Sequence, residues 1–262
     1  MNYTPSTSTQ SALTPLHQPS RRTIRLIMEY DGSGFDGWQI QAHGRTVQGE
    51  TARALESLFQ EPITPISSGR TDAGTHALGQ VVHFHTHSLY PTQRIQRALN
   101  GILPSDIAIH QVTEAPSDFH ARYSALSKRY RYRICTIKSA IERHHVWSFY
   151  HCLDLHVLMA ATRFLPGNHN FSAFCKQDPL PASFTCHIID ASWARQGDEL
   201  VFEIEANRFL RHMVRILVGT LSEIGRGRQN PDYLAYLLRG RPRLDAGPTA
   251  PAQGLCLLWV NY

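Results

Sequence analysis

One succession of backbone periodicities, run through twice, restricts the fold of these 262 residues more than any other feature. In the first pass, residues 23–29 alternate with apolar side chains as a strand does. Asp31-Gly32-Ser33-Gly34 then makes a turn, and Val47, Ala54, Leu55 and Leu58 recur at helical spacing over residues 47–59. Strand-like runs at 63–67 and 80–86 follow, separated by a loop with Gly69, Gly74 and Gly79; a helix at 91–99 and a strand at 107–112 complete the order βαββαβ. Glu114-Ala115-Pro116-Ser117 reads as a linker. The second pass has a strand at 129–135, a helix at 153–165, strands at 188–194 and 200–206, and a helix at 209–224 that Gly225 closes with a left-handed cap. Asn230 caps and Pro231 opens a short extra helix to 238, and residues 255–260 form a last strand. This is the ferredoxin-like order. The predicted class is α+β: two related βαββαβ halves, residues 22–114 and 115–262, forming a mostly antiparallel sheet with a central cleft and helices outside. No residue-level repeat is visible, so the symmetry rests on topology.

Composition narrows the setting. Hydrophobic residues are 42% and charged ones 18%, ordinary for a globular chain. The five cysteines are scattered and none forms a CxxC pair, so neither a disulfide framework nor a cysteine zinc site is suggested, and reduced thiols in cytoplasm are the simplest reading. Residues 1–21 are rich in Ser, Thr, Pro and Gln without the apolar run of a signal peptide, and are predicted to be a disordered tail. No apolar stretch approaches the roughly 20 residues that span a bilayer. Lys plus Arg is 26 against 21 acids, a net +5 that leans slightly toward a large anionic partner.

Three segments could carry chemistry. The densest is Ser68-Gly69-Arg70-Thr71-Asp72-Ala73-Gly74-Thr75-His76, where glycines three residues before Asp72 and two after it free the backbone. Asp in such a turn commonly bonds its own backbone; Arg70 and Thr71 beside it are what tilt the reading toward an aimed, ionised carboxylate. In Lys128-Arg129-Tyr130-Arg131-Tyr132-Arg133-Ile134, strand alternation puts three arginines on one face and Tyr130, Tyr132 and Ile134 on the other. Rings beside cations suit an unpaired base near a phosphate chain, although Tyr132 reads as core. The third places Arg208, Arg211, His212 and Arg215 on one face of the helix at 209–224, opposite Leu210, Val214, Leu217 and Leu221. Cations in a first helical turn oppose the dipole, which something anionic nearby would relieve. His83, His85 and His87 alternate on one strand; without a nearby carboxylate or Cys they are read as sheet packing, and no metal site is expected.

These residues resemble the TruA family of tRNA pseudouridine synthases. The likeness lies in Gly69-Arg70-Thr71-Asp72-Ala73-Gly74 with His76, in Tyr30-Asp31-Gly32 with Gly37-Trp38-Gln39, and in Thr46-Val47-Gln48. It continues through Phe119-His120-Ala121-Arg122 with Lys128, Tyr130 and Tyr132, through His212-Met213-Val214-Arg215, and through Ala246-Gly247-Pro248-Thr249-Ala250-Pro251-Ala252. The resemblance implies Asp72 as nucleophile, Tyr130 stacked on the target base, Arg215 paired with Asp72, and Arg70 near the flipped nucleotide. It implies tRNA as substrate, modified at positions 38, 39 and 40 of the anticodon arm, and a homodimer whose subunits both contact the tRNA. Thr75 stands where a valine is usual, and an arginine usual near Cys186 is absent from residues 185–188.

Forming pseudouridine breaks the ribose bond to the base nitrogen, rotates the base and rejoins it through carbon. No redox change or outside group is involved, so no cofactor and no nucleotide are expected. A carboxylate can serve by covalent catalysis or by taking a proton from the sugar, and residue types do not choose between them. A non-catalytic tRNA binder would show a damaged loop, whereas Asp72, Tyr130 and Arg215 are intact. An Asp-dependent hydrolase of a small anion would leave the Arg/Tyr strand unexplained.

Overall fold

The computed structural model describes residues 20–178 and 180–262; the tail expected over residues 1–21 lies outside them apart from Ser20 and Arg21. Strand alternation is clearest in β1, Arg22–Tyr30, where Ile24, Leu26, Met28 and Tyr30 are buried and Arg25, Ile27 and Glu29 are not. The N-cap of α1, Val47–Phe59, is Thr46, whose side chain accepts from the Gly49 N–H, and the helix buries Val47, Thr51, Ala54 and Leu55. β2 is Ile66–Ser67 and β3 is His76–Thr86; α2 is Thr92–Ile102 and β4 is Ile107–Ala115. The second pass has β5 (Ser127–Cys135), β6 (Trp147–Ser148), α3 (Leu155–Thr162), β7 (Gly167–Asn170), β8 (Thr185–Gln196) and β9 (Glu199–Ala206). It closes with α4 (Met213–Gly225), α5 (Asp232–Leu237) and β10 (Leu255–Asn261).

All ten strands join one sheet in the order β4-β1-β3-β10-β5-β9-β8-β7, with β2 on β3 and β6 on β5. In each pass the four main strands lie in the order fourth, first, third, second: β4-β1-β3-β2 and β10-β5-β9-β8. This is the expected ferredoxin-like topology, twice. The passes meet where β10 runs parallel to β3, Cys256 beside His76 and Leu257 beside Ala77, while its other edge pairs antiparallel with β5. One continuous apolar layer, from Ile24 and Leu55 to Tyr132, Phe202, Leu217 and Leu221, packs between sheet and helices. Full burial of each such aliphatic side chain contributes about 1.5–3 kcal/mol.

Four expectations change. Gly225 is the last residue of α4 and has no positive φ; the left-handed glycine lies two residues on, at Gly227 with φ 75°. The strand predicted at 63–67 is only two residues, because Pro65 has no N–H to give a ladder and its carbonyl is taken by Gln48 Nε2 at 3.0 Å. The helix predicted from residue 209 starts at Met213: His212 is left-handed, with φ 62° and ψ 6°, so Arg208 and Arg211 precede the helix instead of sharing its face with Arg215. The linker predicted at 114–117 is partly strand, since β4 extends through Ala115. Asn230 does cap α5, accepting from the Tyr233 N–H at 3.1 Å.

Candidate active site

The loop between β2 and β3 is fixed along its whole length. Ser68 Oγ donates to Gln80 Oε1 at 2.7 Å, and Gln80 Nε2 donates to the Gly69 carbonyl at 2.9 Å. Thr71 Oγ1 bonds the Tyr30 hydroxyl at 2.8 Å, and its carbonyl accepts from the Trp38 N–H at 3.1 Å. Gly37 lets the chain come this close: its φ is +91°, and a Cβ there would stand 2.7 Å from the Thr71 carbonyl oxygen. From β5, Lys128 Nζ donates to the Ser68 carbonyl at 2.6 Å. Burial, with Arg122 adding repulsion, pulls that amine down to about 8.

The Asp72 side chain does not fold back on this turn. Among the described residues its partners come from the opposite wall: Arg215 Nη1 donates to Oδ2 at 3.0 Å, and His212 Nε2 stands 3.6 Å from Oδ1. Arg215 is itself pinned, its Nε donating to the Ala250 carbonyl at 2.8 Å while the Ala250 N–H donates to the Arg215 carbonyl at 3.0 Å. That segment reaches α4 at Gly219, where a Cβ would collide with the Pro248 carbonyl. The carboxylate is 26% exposed and its guanidinium 16%, so the pair is accessible to a ligand yet partly screened from water.

Tyr130 is buried, its ring edge-on to Phe209 at 5.0 Å. Burial raises its phenol, and the charge of Asp72 raises it further, which places hydroxyl and carboxylate in one electrostatic neighbourhood. Burial lowers the His212 imidazole; Asp72 opposes this and Arg215, Arg211 and Lys176 add to it. Arg70 is exposed, with no hydrogen bond or ion pair among the described residues. The structure thus joins Asp72 to Arg215, sets Tyr130 within range of the carboxylate's charge, and leaves Arg70 exposed.

The arginine face of β5 does not form the cationic wall that its alternation suggested. Arg129 bonds Glu203 at 2.9 Å and Asp190 at 2.8 Å, Arg131 bonds Glu203 at 2.9 Å, and Arg133 bonds Glu199 at 2.7 Å and Glu142 at 3.1 Å. These carboxylates sit on neighbouring strands or loops, out of reach of any reading confined to β5. Tyr132, fully buried, donates to the Pro251 carbonyl at 2.7 Å. His83 and His85 pack as expected: His83 Nδ1 accepts from the Ala121 N–H at 3.1 Å, and His85 Nδ1 lies 3.0 Å from Thr23 Oγ1. Near Cys186, the charge of Arg208 reaches the thiol from another segment.

Behind the loop, Asp31, His76 and His145 each place a ligand atom within 4.8 Å of the others. The His76 ring suits a lock better than an ion: Nε2 faces the carbonyls of His144 at 2.8 Å and Gln253 at 3.2 Å, and Nδ1 accepts the Gly32 N–H at 3.0 Å. A neighbouring cavity of about 430 Å³ is lined by Ala73 and Gly74 with Arg143, His144 and Gln253, and not by Asp72. The carboxylate, 26% exposed, opens to solvent outside that cavity. Sequence reasoning overlooked Lys128 as a loop anchor and the left-handed His212; histidine's tolerance of positive φ was the only available signal for the latter.

A family model described as tRNA pseudouridine synthase matches residues 26–124 and 160–262. The chain is 45% identical over 243 residues to tRNA pseudouridine synthase A of Moorella thermoacetica, covering 91% of this chain and 99% of that protein. It is 41% identical to the protein of the same name from Geotalea uraniireducens, covering 92% and 100%. With that of Halalkalibacterium halodurans the identity is 44%, covering 89% and 90%.

Proposed function

The chain belongs to the tRNA pseudouridine synthase family, and from that premise we propose that it isomerises uridine to pseudouridine at positions 38, 39 and 40 of the tRNA anticodon arm. It is an isomerase acting on tRNA uridine, and Asp72 is the group on which its chemistry turns. The observation that carries this reading is the 3.0 Å bond from Arg215 to Asp72, which joins the β2–β3 loop to α4 across the groove. A guanidinium at that distance keeps the carboxylate ionised and aimed. Asp72 then either attacks the ribose carbon or removes a sugar proton, and in both cases the bond from C1′ to N1 breaks. Flipping the nucleotide costs a few kcal/mol, which stacking on the Tyr130 ring partly offsets. Arg70, exposed and without a partner among the described residues, is free to meet the backbone of the extruded nucleotide. The reaction is redox-neutral and transfers nothing to or from a second molecule, so it needs no cofactor. The family resemblance further supports a cytoplasmic homodimer whose two subunits share one tRNA.

The test is to incubate the protein with unmodified tRNA and map pseudouridine, which should appear at positions 38–40. Asp72→Asn should retain tRNA binding and lose turnover. Near-wild-type turnover of that variant would remove Asp72 from the chemistry, and modification confined to another arm of the tRNA would overturn the assigned positions.

A further inference from the structure

We propose that His212 is the general base that removes the C5 proton in the last step of the isomerisation. This rests on the reading of Asp72 above and adds a second reacting group to it. Once C5 has joined C1′, that carbon is tetrahedral and still carries its hydrogen. The C–H pair must return to the ring as the C5–C6 double bond, the N1–C6 double-bond pair must return to N1, and N1 must take up a proton. The proton count is unchanged, so one group that accepts from C5 and hands on toward N1, directly or through water, completes the reaction.

The residues around Asp72 leave a single candidate. Asp72 is committed to the sugar and bonded to Arg215. Arg215 and Arg70 are cations without a lone pair. Lys128 is directed at the Ser68 carbonyl, 2.6 Å away. Tyr130 could accept a proton only as phenolate, which its burial and the nearby carboxylate both oppose. His212 remains: its Nε2 is 3.6 Å from Asp72 Oδ1, its side chain is 21% exposed, and it faces the same groove. The groups acting on it are Asp72, Arg215, Arg211 and Lys176, and with burial their sum favours the neutral imidazole, the form that accepts a proton.

The backbone supports the assignment independently. His212 and Gln60 are the non-glycine residues with positive φ among those described. Gln60 terminates α1, a position where left-handed residues are common. His212 instead precedes α4, and its side chain caps no N–H there. A left-handed residue with a Cβ is strained, and such strain collects where a side chain must be aimed.

The test uses tRNA deuterated at C5 of its uridines. Wild-type enzyme should show little isotope effect. His212→Gly, which relieves the backbone, and His212→Asn, which tolerates it, should each lower kcat by about 10²-fold with KM little changed, and should reveal a primary isotope effect of about 2 or more. Added imidazole should restore turnover to the glycine variant, and the fall in wild-type kcat at acid pH, below the ordinary imidazole range, should be missing from both variants. Retention of wild-type kcat in either variant, or loss without an isotope effect or imidazole rescue, overturns the proposal. Failure of wild-type enzyme to make pseudouridine would strike instead at the reading on which it rests.

Discussion

Thr75 shows what one atom costs at the edge of this site. Its side chain is buried and its Oγ1 has no hydrogen-bond partner among the described residues. An unsatisfied buried hydroxyl costs about 1–3 kcal/mol, whereas valine fills the same shape. Thr75→Val should therefore raise the melting temperature by about 2–4 °C per kcal/mol recovered, with turnover unchanged; a lower melting temperature would show that a partner exists in solution. Arg215→Gln should act oppositely, removing the charge that holds Asp72 and weakening the grip on Ala250. Hydrogen bonds to charged groups are worth about 1.5–3 kcal/mol, so kcat should fall at least tenfold while the fold persists by circular dichroism. The sequence showed Asp72, Tyr130 and Arg215 as residue types in a motif. The family resemblance anticipated the pairing of Asp72 with Arg215; the residue pattern alone did not, because no local pattern encodes a partner 143 residues away.

At the scale of elements, periodicity was a good guide where one face packs and a poor one where partners lie across strands. β1 and α1 were read nearly to the residue, since their apolar stripes are long. β6 and β7 were missed: two and four residues are too few to establish a period. The arginines of β5 were read as cationic because their carboxylate partners lie on other segments. β3 adds a pH dependence. His83 is buried between His85 and His120, and burial first, then those rings, lower it to about 4 from 6.5. In that window the unfolded chain binds a proton that the folded one refuses, so stability is full above pH 6.5 and declines as pH falls toward 4. Urea titrations at pH 7 and 4.5 should show this loss, and His83→Gln should flatten it; an unchanged slope would assign the pH dependence elsewhere.

For the molecule as a whole, charge that is already paired does not grip nucleic acid. The arginines of β5 are neutralised within the sheet, while Arg70 has no partner among the described residues. Each phosphate contact contributes about 0.9 to the slope of log affinity against log salt. Arg70→Ala should reduce that slope for tRNA by about 1, and Arg131→Ala should leave it unchanged; the reverse result would move the RNA to the other face of the sheet. We also propose that residues 22–114 and 115–262, although each follows the same strand order, do not fold apart, because the sheet runs unbroken through β3, β10 and β5. Calorimetry of the full chain should show one transition, and two well-separated ones would argue for autonomous halves. β10, last of the ten in chain order, is the keystone of that run, set between strands made long before it. During synthesis the nascent sheet must wait with a gap at its middle, and a product ending before residue 255 lacks the strand that bridges β3 and β5.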